Sequence, residues 1–329
     1  MRVLMFGWEF PPNISGGLGT ACYGLTKGLS SFEDVDVTFV VPKLFGDEET
    51  GNINIIGAGD VSVTNRRINL KEFSKTIEYF EVSSKLVPYI DPEDYLRQTA
   101  YTVEGTNSLI ETDFQGKVKF TGKYGPDLMS EIARYALVAN VIAQDNQFDI
   151  IHAHDWLAYP AGIAAKQASG KPLVIHVHAT DFDRSGGTVN PNVYAIEKRG
   201  MDMADKIITV SNLTRKIVIE KYGINPDKVV TVYNAVEPYR NTEKTNFSKG
   251  FAEKIVTFLG RITLQKGPEY FIEAASRVLQ KMDNVRFVMA GSGDMMNKMI
   301  RRTAQLKIAD KFHFTGFLKG DDVYQMLRM

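Results

Sequence analysis

The stretch RVLMFGWEFPPNISGGLGT over residues 2–20 decides the fold. Its first five residues are nearly all apolar, which is typical of a strand that is buried on both faces. A glycine-rich turn follows, and the residues after the turn have apolar side chains at helical spacing. Glycines let backbone N–H groups approach an anion, and a helix N-terminus presents unpaired donors with a positive partial charge. This order of strand, turn and helix predicts an α/β fold whose first turn suits a diphosphate.

The turn departs from the dinucleotide-binding fingerprint in two places. Gly17 and Gly19 supply its first two glycines, but Cys22 stands where a third small residue should let the helix pack on the strand. The second predicted strand ends in Val40 and Val41, without the acid that would bind a ribose. The pattern argues against a dehydrogenase, and a tight turn without a ligand stays open as the alternative.

Strand and helix patterns alternate along the rest of the chain. Strands are predicted over residues 2–6, 35–41, 148–152, 173–178, 206–210, 229–233, 254–259, 285–290 and 312–316. Helical patterns lie between them, as over residues 127–144 and 269–281. Strands that alternate with helices form parallel sheets with right-handed crossovers. The predicted fold class is therefore α/β, with doubly wound parallel sheets.

Two domains are predicted. The polar stretch EPYRNTEKTNFSKG over residues 237–250 has too few apolar residues to fill a core and reads as a linker. We expect a first domain over residues 1–240, with an insertion at about residues 43–125, and a second domain over residues 251–329. The second domain has only three predicted strands and ends in a helix with an apolar face. We therefore expect it to be incomplete and the chain to be a fragment of a longer one.

Composition excludes several classes of protein. The 329 residues are 44% hydrophobic and 24% charged, which argues against disorder. Lys+Arg and Asp+Glu number 39 each, so net charge gives no case for binding nucleic acid or an anionic membrane. A single cysteine, Cys22, excludes an intramolecular disulfide. No run approaches the ~18 apolar residues of a membrane span, and we expect a soluble, cytoplasmic protein of undetermined oligomeric state.

Four of the five histidines lie in two motifs, HAHDW over residues 152–156 and HVHATD over residues 176–181. Both motifs end predicted strands, where ligands collect in open parallel sheets. Histidines two apart on a strand share a face, so the four rings can form a metal site or line a polar sugar pocket. For His152 and His176 we favour a third interpretation, core histidines whose nitrogens bind the backbone.

A further motif, GRITLQKG over residues 260–267, places Arg261 and Lys266 between a strand and a helix that starts at Pro268. Arginine binds phosphate oxygens with a fork of donors, and lysine adds a compact charge. Two cations beside a helix N-terminus can stabilise a departing diphosphate. A solvated charged loop is the alternative, although the glycines on both sides favour close approach of a ligand. The AGSGD motif over residues 290–294 is weaker, because many α/β proteins turn in this way.

Taken together, these motifs resemble a known family. GGLG, HAHDW, HVHATD, VSNLTR, YNAVEP, GRITLQKG, AGSGD and FTGFLKGDD occur in the order seen in retaining GT-B glycosyltransferases. The chain is most similar to glycogen and starch synthases and the broader group 1 transferases, over nearly its whole length. The resemblance implies two Rossmann-like domains facing a cleft that holds a nucleotide-sugar donor. It also implies glucose transfer with retention of configuration, with no metal and no cofactor besides the donor.

The resemblance also assigns residues. His178 should contact the donor sugar near the reaction centre, with Asp155 in the same pocket, and Arg261 and Lys266 should hold the diphosphate. These four are the expected catalytic residues. The expected donor-binding residues are Gly16, Gly17, Leu18, Arg261, Lys266, Gly291, Phe317 and Leu318. The enlarged segment over residues 43–125 implies an α-glucan acceptor.

Two departures from the family pattern stand out. Starch and bacterial glycogen synthases carry Lys-x-Gly-Gly at the glycine turn, whereas this chain has Ile14 at the lysine position. The donor is therefore left open between ADP-glucose and UDP-glucose. The Glu-x7-Glu segment of the family, which contacts the donor sugar and ribose, is expected shortly after Met329.

Three alternatives to a glycogen-synthase-like enzyme remain. The chain can be a group 1 transferase that acts on another acceptor. It can be a module that binds glucan or nucleotide without catalysis, which the missing Glu-x7-Glu segment favours. It can also be a metal-dependent hydrolase that uses His152, His154, His176 and His178, although GRITLQKG would then have no role.

Overall fold

The computed structural model describes residues 1–14, 16–48, 53–63, 113, 115–236, 252–318 and 320–329. The chain forms two compact units, one within residues 1–183 and 187–237 and the other over Pro238–Met329 together with Arg184–Gly186. The predicted linker and most of the predicted insertion lie outside the described residues.

The first unit contains a seven-stranded parallel sheet. Its strands are β1 (Arg2–Phe6), β2 (Asp36–Val41), β3 (Asn54–Gly57), β4 (Ile150–His154), β5 (Leu173–Val177), β6 (Lys206–Thr209) and β7 (Val229–Thr231). Their order across the sheet is β3-β2-β1-β4-β5-β6-β7, and every neighbouring pair is parallel. The chain order therefore reverses between β1 and β4. In open α/β sheets the crevice at the carboxyl end of such a pair is where ligands bind.

Helices connect these strands. They are α1 (Gly17–Leu29), α2 (Leu128–Asp145), α3 (Asp155–Ser169), α4 (Asp181–Arg184), α5 (Pro191–Met203) and α6 (Asn212–Tyr222). The central helices α2 and α3 are mostly buried, because apolar residues occur all around them. The buried hydroxyl of Tyr135 on α2 lies 2.7 Å from the carbonyl oxygen of Val40 and 3.0 Å from that of Gly7. This contact joins α2 to the carboxyl ends of β1 and β2, next to the glycine turn.

The strands β2, β5, β6 and β7 differ from their predicted bounds by one or two residues at one end, and two further differences are larger. The strand predicted over residues 148–152 runs over Ile150–His154 instead, so it carries both histidines of HAHDW. Asp149, just before β4, accepts hydrogen bonds from the backbone N–H and the guanidinium of Arg2. The strand continues through His152 and His154 because their rings are buried. Residues 54–57 fall within the predicted insertion but form the edge strand β3, because Ile55 and Ile56 pair with β2.

The second unit has a three-stranded parallel sheet in the part of the chain that is described. Its strands β8 (Lys254–Leu259), β9 (Val285–Ala290) and β10 (Phe312–Gly316) lie in the order β10-β9-β8 and match the predicted ranges. The helices α7 (Pro268–Leu279), α8 (Met296–Gln305) and α9 (Asp321–Arg328) accompany them. The core includes Ile262, Ile272, Phe287, Met289, Met299 and Phe312.

An ionic contact joins the start of all three strands of the second unit. The carboxylate of Glu253, just before β8, accepts hydrogen bonds from Arg286 Nε at 2.8 Å and from Lys311 Nζ at 2.9 Å. Arg286 belongs to β9, and Lys311 directly precedes β10.

Among the helices described in both units, none has the length and apolar character to cross a lipid bilayer.

Candidate active site

The glycine turn of the first unit leads from β1 into α1. A Cβ atom at Gly19 would lie 2.4 Å from Cγ2 of Ile14, so Gly19 is required for packing within the turn. Among the described residues, no atom lies within 4 Å of a Cβ built at Gly17, and no side chain caps the N-terminus of α1. Leu18 packs against the apolar core beneath the helix. The backbone at Gly16 and Gly17 is thus open to a ligand, and the first N–H groups of α1 can bind an anion there.

Asp155 follows the end of β4, on the other side of the reversal in chain order. It is 4% exposed, and its backbone is left-handed, with φ of 61°. Such a conformation is uncommon for a residue other than glycine and tends to occur at functional sites. Asp155 therefore combines burial with an unusual backbone conformation at the end of β4.

The four motif histidines form one group at the carboxyl end of β4 and β5. His154 Nδ1 lies 3.0 Å from His178 Nε2. The rings of His152 and His176 are stacked with centroids 5.4 Å apart, and those of His176 and His178 are stacked at 4.4 Å. His178 is half-buried, whereas the other three rings are buried. Histidines two apart were predicted to share a face, and the pairing of β4 with β5 brings the two pairs together.

Burial keeps the inner histidines neutral. Desolvation, with a smaller contribution from the charge of neighbouring imidazoles, lowers the pKa of His152 and of His176 to about 3. The same causes lower the pKa of His154 well below its ordinary value. Three buried rings at the site are therefore uncharged at neutral pH, and their nitrogens can accept hydrogen bonds or bind a metal.

The expectation that His152 and His176 bind the backbone was wrong in one respect. Both are buried, but Nε2 of His152 and both ring nitrogens of His176 have no hydrogen-bond partner among the described residues. Nε2 of His154 is in the same situation. The strands carry these rings side by side, so each ring contacts other imidazoles rather than carbonyl groups.

A buried polar network anchors the segment after His178, and the sequence analysis missed it. The carboxylate of Glu197 on α5 accepts hydrogen bonds from the hydroxyl of Tyr222 and from the backbone N–H of Asp181. The carboxylate of Asp181 accepts from the backbone N–H of Asn190 at 2.6 Å. Glu197 is distant in sequence from both strand-end motifs, and no local spacing marks it.

In the second unit, Arg261 and Lys266 lie on the turn from β8 to α7. Arg261 is partly buried and Lys266 is exposed. Gly267 is left-handed, with φ of 63°, and Pro268 begins α7. Thr263, in the same turn, was not predicted as a site residue; its buried hydroxyl has no hydrogen-bond partner within the described ranges.

The remaining donor-binding candidates follow the next two strands. Gly291, after β9, has φ of 145°, and a Cβ there would lie 1.8 Å from the carbonyl oxygen of Gly260. The structure thus gives a packing reason for this glycine. Phe317 and Leu318 follow β10; the side chain of Phe317 is 47% exposed, and Leu318 packs against the core cluster that contains Met326.

Each unit therefore gathers its own candidates at the carboxyl edge of its own sheet. The first brings together the glycine turn, Asp155 and His178, which follow β1, β4 and β5. The second brings together Arg261, Lys266, Gly291, Phe317 and Leu318, which follow β8, β9 and β10.

Known proteins are similar to this chain in sequence. Residues 109–240 match the model of Glycosyltransferase Family 4, and residues 240–329 match that of Glycosyl transferases group 1. An uncharacterized glycosyltransferase of Methanocaldococcus jannaschii is 27% identical over 100% of this chain and 72% of its own length. Glycogen synthase of Mycobacterium tuberculosis is 23% identical over 99% of this chain and 70% of its own length.

The solved structures agree on the fold. Anabaena HepE, determined in complex with UDP and glucose, has a TM-score of 0.57 and 17% identity over 99% of this chain and 72% of its own. The two family matches adjoin at residue 240, and the fold is that of the GT-B transferases. The two family models, which together span residues 109–329, and the GT-B fold support a group 1 GT-B glycosyltransferase.

Proposed function

We propose that this glycosyltransferase moves glucose from ADP-glucose or UDP-glucose to an α-glucan, with retention of configuration, as glycogen synthases do. The observation that supports the proposal best is the grouping of the glycine turn, Asp155 and His178 at the carboxyl ends of the adjacent strands β1, β4 and β5. The similarity to a glycogen synthase over 99% of the chain favours glucose and a glucan over other substrates. The UDP and glucose named for HepE make UDP-glucose a reasonable first donor to test.

In the proposed reaction, the bond between C1 of glucose and the β-phosphate oxygen breaks. The guanidinium of Arg261 and the ammonium of Lys266 stabilise the negative charge that develops on the diphosphate. In the first unit, the open N–H groups at Gly16 and Gly17 can bind an anion. No metal is required for this step, since the protein supplies the positive charge.

His178 then acts on the sugar, with Asp155 in the same pocket. The half-buried ring of His178 contacts a hydroxyl of the donor glucose, and its hydrogen bond to His154 holds it in place. A glucan hydroxyl attacks C1 from the face that the diphosphate leaves, and its proton passes to the departing phosphate oxygen. This route forms the new C1–O bond on the original face, so configuration is retained without a covalent enzyme intermediate.

The test is chain extension. The purified protein is incubated with a fluorescently labelled maltooligosaccharide and either ADP-glucose or UDP-glucose, and products are separated by length. We expect a ladder that grows by single glucose units with at least one donor. Donor consumption with no longer oligosaccharide would reject the α-glucan acceptor, and no consumption of either donor would reject the glucosyl donors.

A further inference from the structure

Three side chains from different elements place metal-binding atoms together at the candidate site. A ring nitrogen of His154, a ring nitrogen of His178 and Sγ of Cys22 all lie within 4.8 Å of one another. Cys22 comes from α1, and the two histidines come from β4 and from the segment after β5. One thiol and two imidazoles are a ligand set for zinc and other borderline-soft divalent cations.

The spacing of the two histidines fits a shared ion. Nδ1 of His154 and Nε2 of His178 are 3.0 Å apart. Two nitrogens bound tetrahedrally to one zinc, with bonds near 2.05 Å, are about 3.3 Å apart. The pair therefore needs to open by only a few tenths of an ångström. The planes of the two rings are tilted by 34°, so the rings are not stacked face to face.

A second trio, His152, His154 and His176, has equally close nitrogens but less suitable ring orientations. The rings of His152 and His176 are stacked, with an interplanar angle of 7°. A metal binds imidazole in the plane of the ring, so two nearly parallel stacked rings direct their lone pairs past a common point. The geometry favours the trio that includes Cys22.

Charge and access also favour a cation at this trio. The carboxylates of Asp155 and Glu9 place a negative electrostatic field at the buried side chain of Cys22. A divalent ion would be attracted by the same field. His178 is the half-buried member, and its exposed edge gives an ion a route from solvent.

We propose that Cys22, His154 and His178 bind one Zn²⁺ or a similar borderline-soft divalent cation, with water in the fourth position. Binding releases the thiol proton of Cys22 to solvent, and the proton shared by the two imidazoles moves to the other nitrogen of its ring. The ion occupies the ring of His178, which the proposed function assigns to the donor sugar. The ion therefore inhibits transfer. Only this inhibition depends on the proposed function; the site itself does not.

Cobalt gives a readout that needs no activity. The full chain, freed of metal with a chelator, is titrated with Co²⁺ and followed by absorption. Because Cys22 is the only cysteine, a near-ultraviolet sulfur-to-cobalt charge-transfer band identifies it as a ligand. We expect one Co²⁺ per chain with this band, displaced by Zn²⁺. Absence of the band at saturation, or its persistence in Cys22→Ala, would overturn the proposal.

Variants separate the two trios. We expect His178→Ala to weaken Co²⁺ binding by more than the roughly 10–100-fold cost of losing an outer-sphere partner. His152→Asn, in the stacked trio, should keep the charge-transfer band and the affinity. His313→Ala removes the exposed fifth histidine, in the second unit, and serves as the matched control. Loss of the band in His152→Asn but not in His178→Ala would contradict the assignment.

X-ray absorption of the zinc-loaded wild type covers the case in which Cys22→Ala does not fold. We expect one sulfur at about 2.3 Å and nitrogen or oxygen at about 2.0 Å. A shell without sulfur would refute the site even if zinc inhibits glucose transfer. A shell with sulfur supports it even if no glucose transfer is found.

Discussion

Nδ1 of His154 and Nε2 of His178 share a hydrogen bond of 3.0 Å, which links the carboxyl ends of two adjacent strands in the first unit. His154 is fully buried, and His178 reaches the surface. The outer ring, to which we assign the donor sugar, is therefore oriented by an inner ring that burial keeps neutral.

Replacing His178 tests that assignment. We expect His178→Ala to lower kcat/KM for glucose transfer by about 10²-fold, the lower end of what one positioned catalytic group contributes. His313→Ala, in an exposed position on β10, should retain wild-type kcat/KM. Thermal unfolding of both variants checks that the fold is kept. Equal activity of the two variants would remove His178 from the mechanism.

The next prediction concerns Lys266, a cation of the second unit. We expect Lys266→Ala to reduce kcat by about 10²–10³-fold, as loss of one donor to a developing oxyanion does. Lys281→Ala removes an exposed lysine just after α7 and keeps the remainder of the unit intact. Steady-state kinetics with saturating donor distinguishes the two. If Lys281→Ala is as slow as Lys266→Ala, general surface charge and not the turn is responsible.

Gly291 predicts a change in stability. A Cβ at this position would lie 1.8 Å from the carbonyl oxygen of Gly260, and its φ of 145° disfavours a side chain. We expect Gly291→Ala to lower the free energy of unfolding by more than the roughly 1–3 kcal/mol of backbone strain alone. Gly24→Ala, inside α1 with nothing within 4 Å of its Cβ, should stabilise by roughly 0.5–1 kcal/mol. Denaturant unfolding measures both, and a neutral Gly291→Ala would contradict the packing of the two turns.

The contact at Glu253 predicts a pH dependence. Hydrogen bonds from Arg286 and Lys311 hold the pKa of this carboxyl below its ordinary value of 4.5. The unfolded chain therefore binds the proton first, and the stability that Glu253 contributes is complete above pH 4.5 and is lost as the pH falls through the lower folded pKa. We expect Glu253→Gln to have a lower Tm than wild type at pH 7, with the difference shrinking in acid. A difference that stays constant down to pH 3 would show that charge plays no part.

The regular elements could be predicted from sequence because their signals are local. The runs that form β1, β8, β9 and β10 were predicted with the bounds observed, since each is a short apolar run between turn residues. The glycine turn and the shared face within each His-x-His pair also follow from spacing alone. The edge strand β3 was missed because it lies in a segment rich in Asn and Asp, and only pairing with β2 identifies it.

The parts of the site that depend on distant residues could not be predicted. Glu197 reaches the segment after His178 only because α5 packs beside it, and neither its neighbours nor its spacing signal this. Cys22 appeared in the sequence as an imperfect third glycine, whereas in the fold its sulfur lies beside two imidazoles. Such contacts arise from the order of strands in the sheet, which places α1, β4 and β5 together.

Proton NMR of a single reaction tests the central claim most directly. The protein is mixed with UDP-glucose or ADP-glucose and a maltooligosaccharide, and the anomeric protons are followed with time. The account predicts loss of the donor signal, free nucleoside diphosphate, and a growing signal from new α-linked glucose. New β-linkages, or release of free glucose without any new linkage, would contradict it.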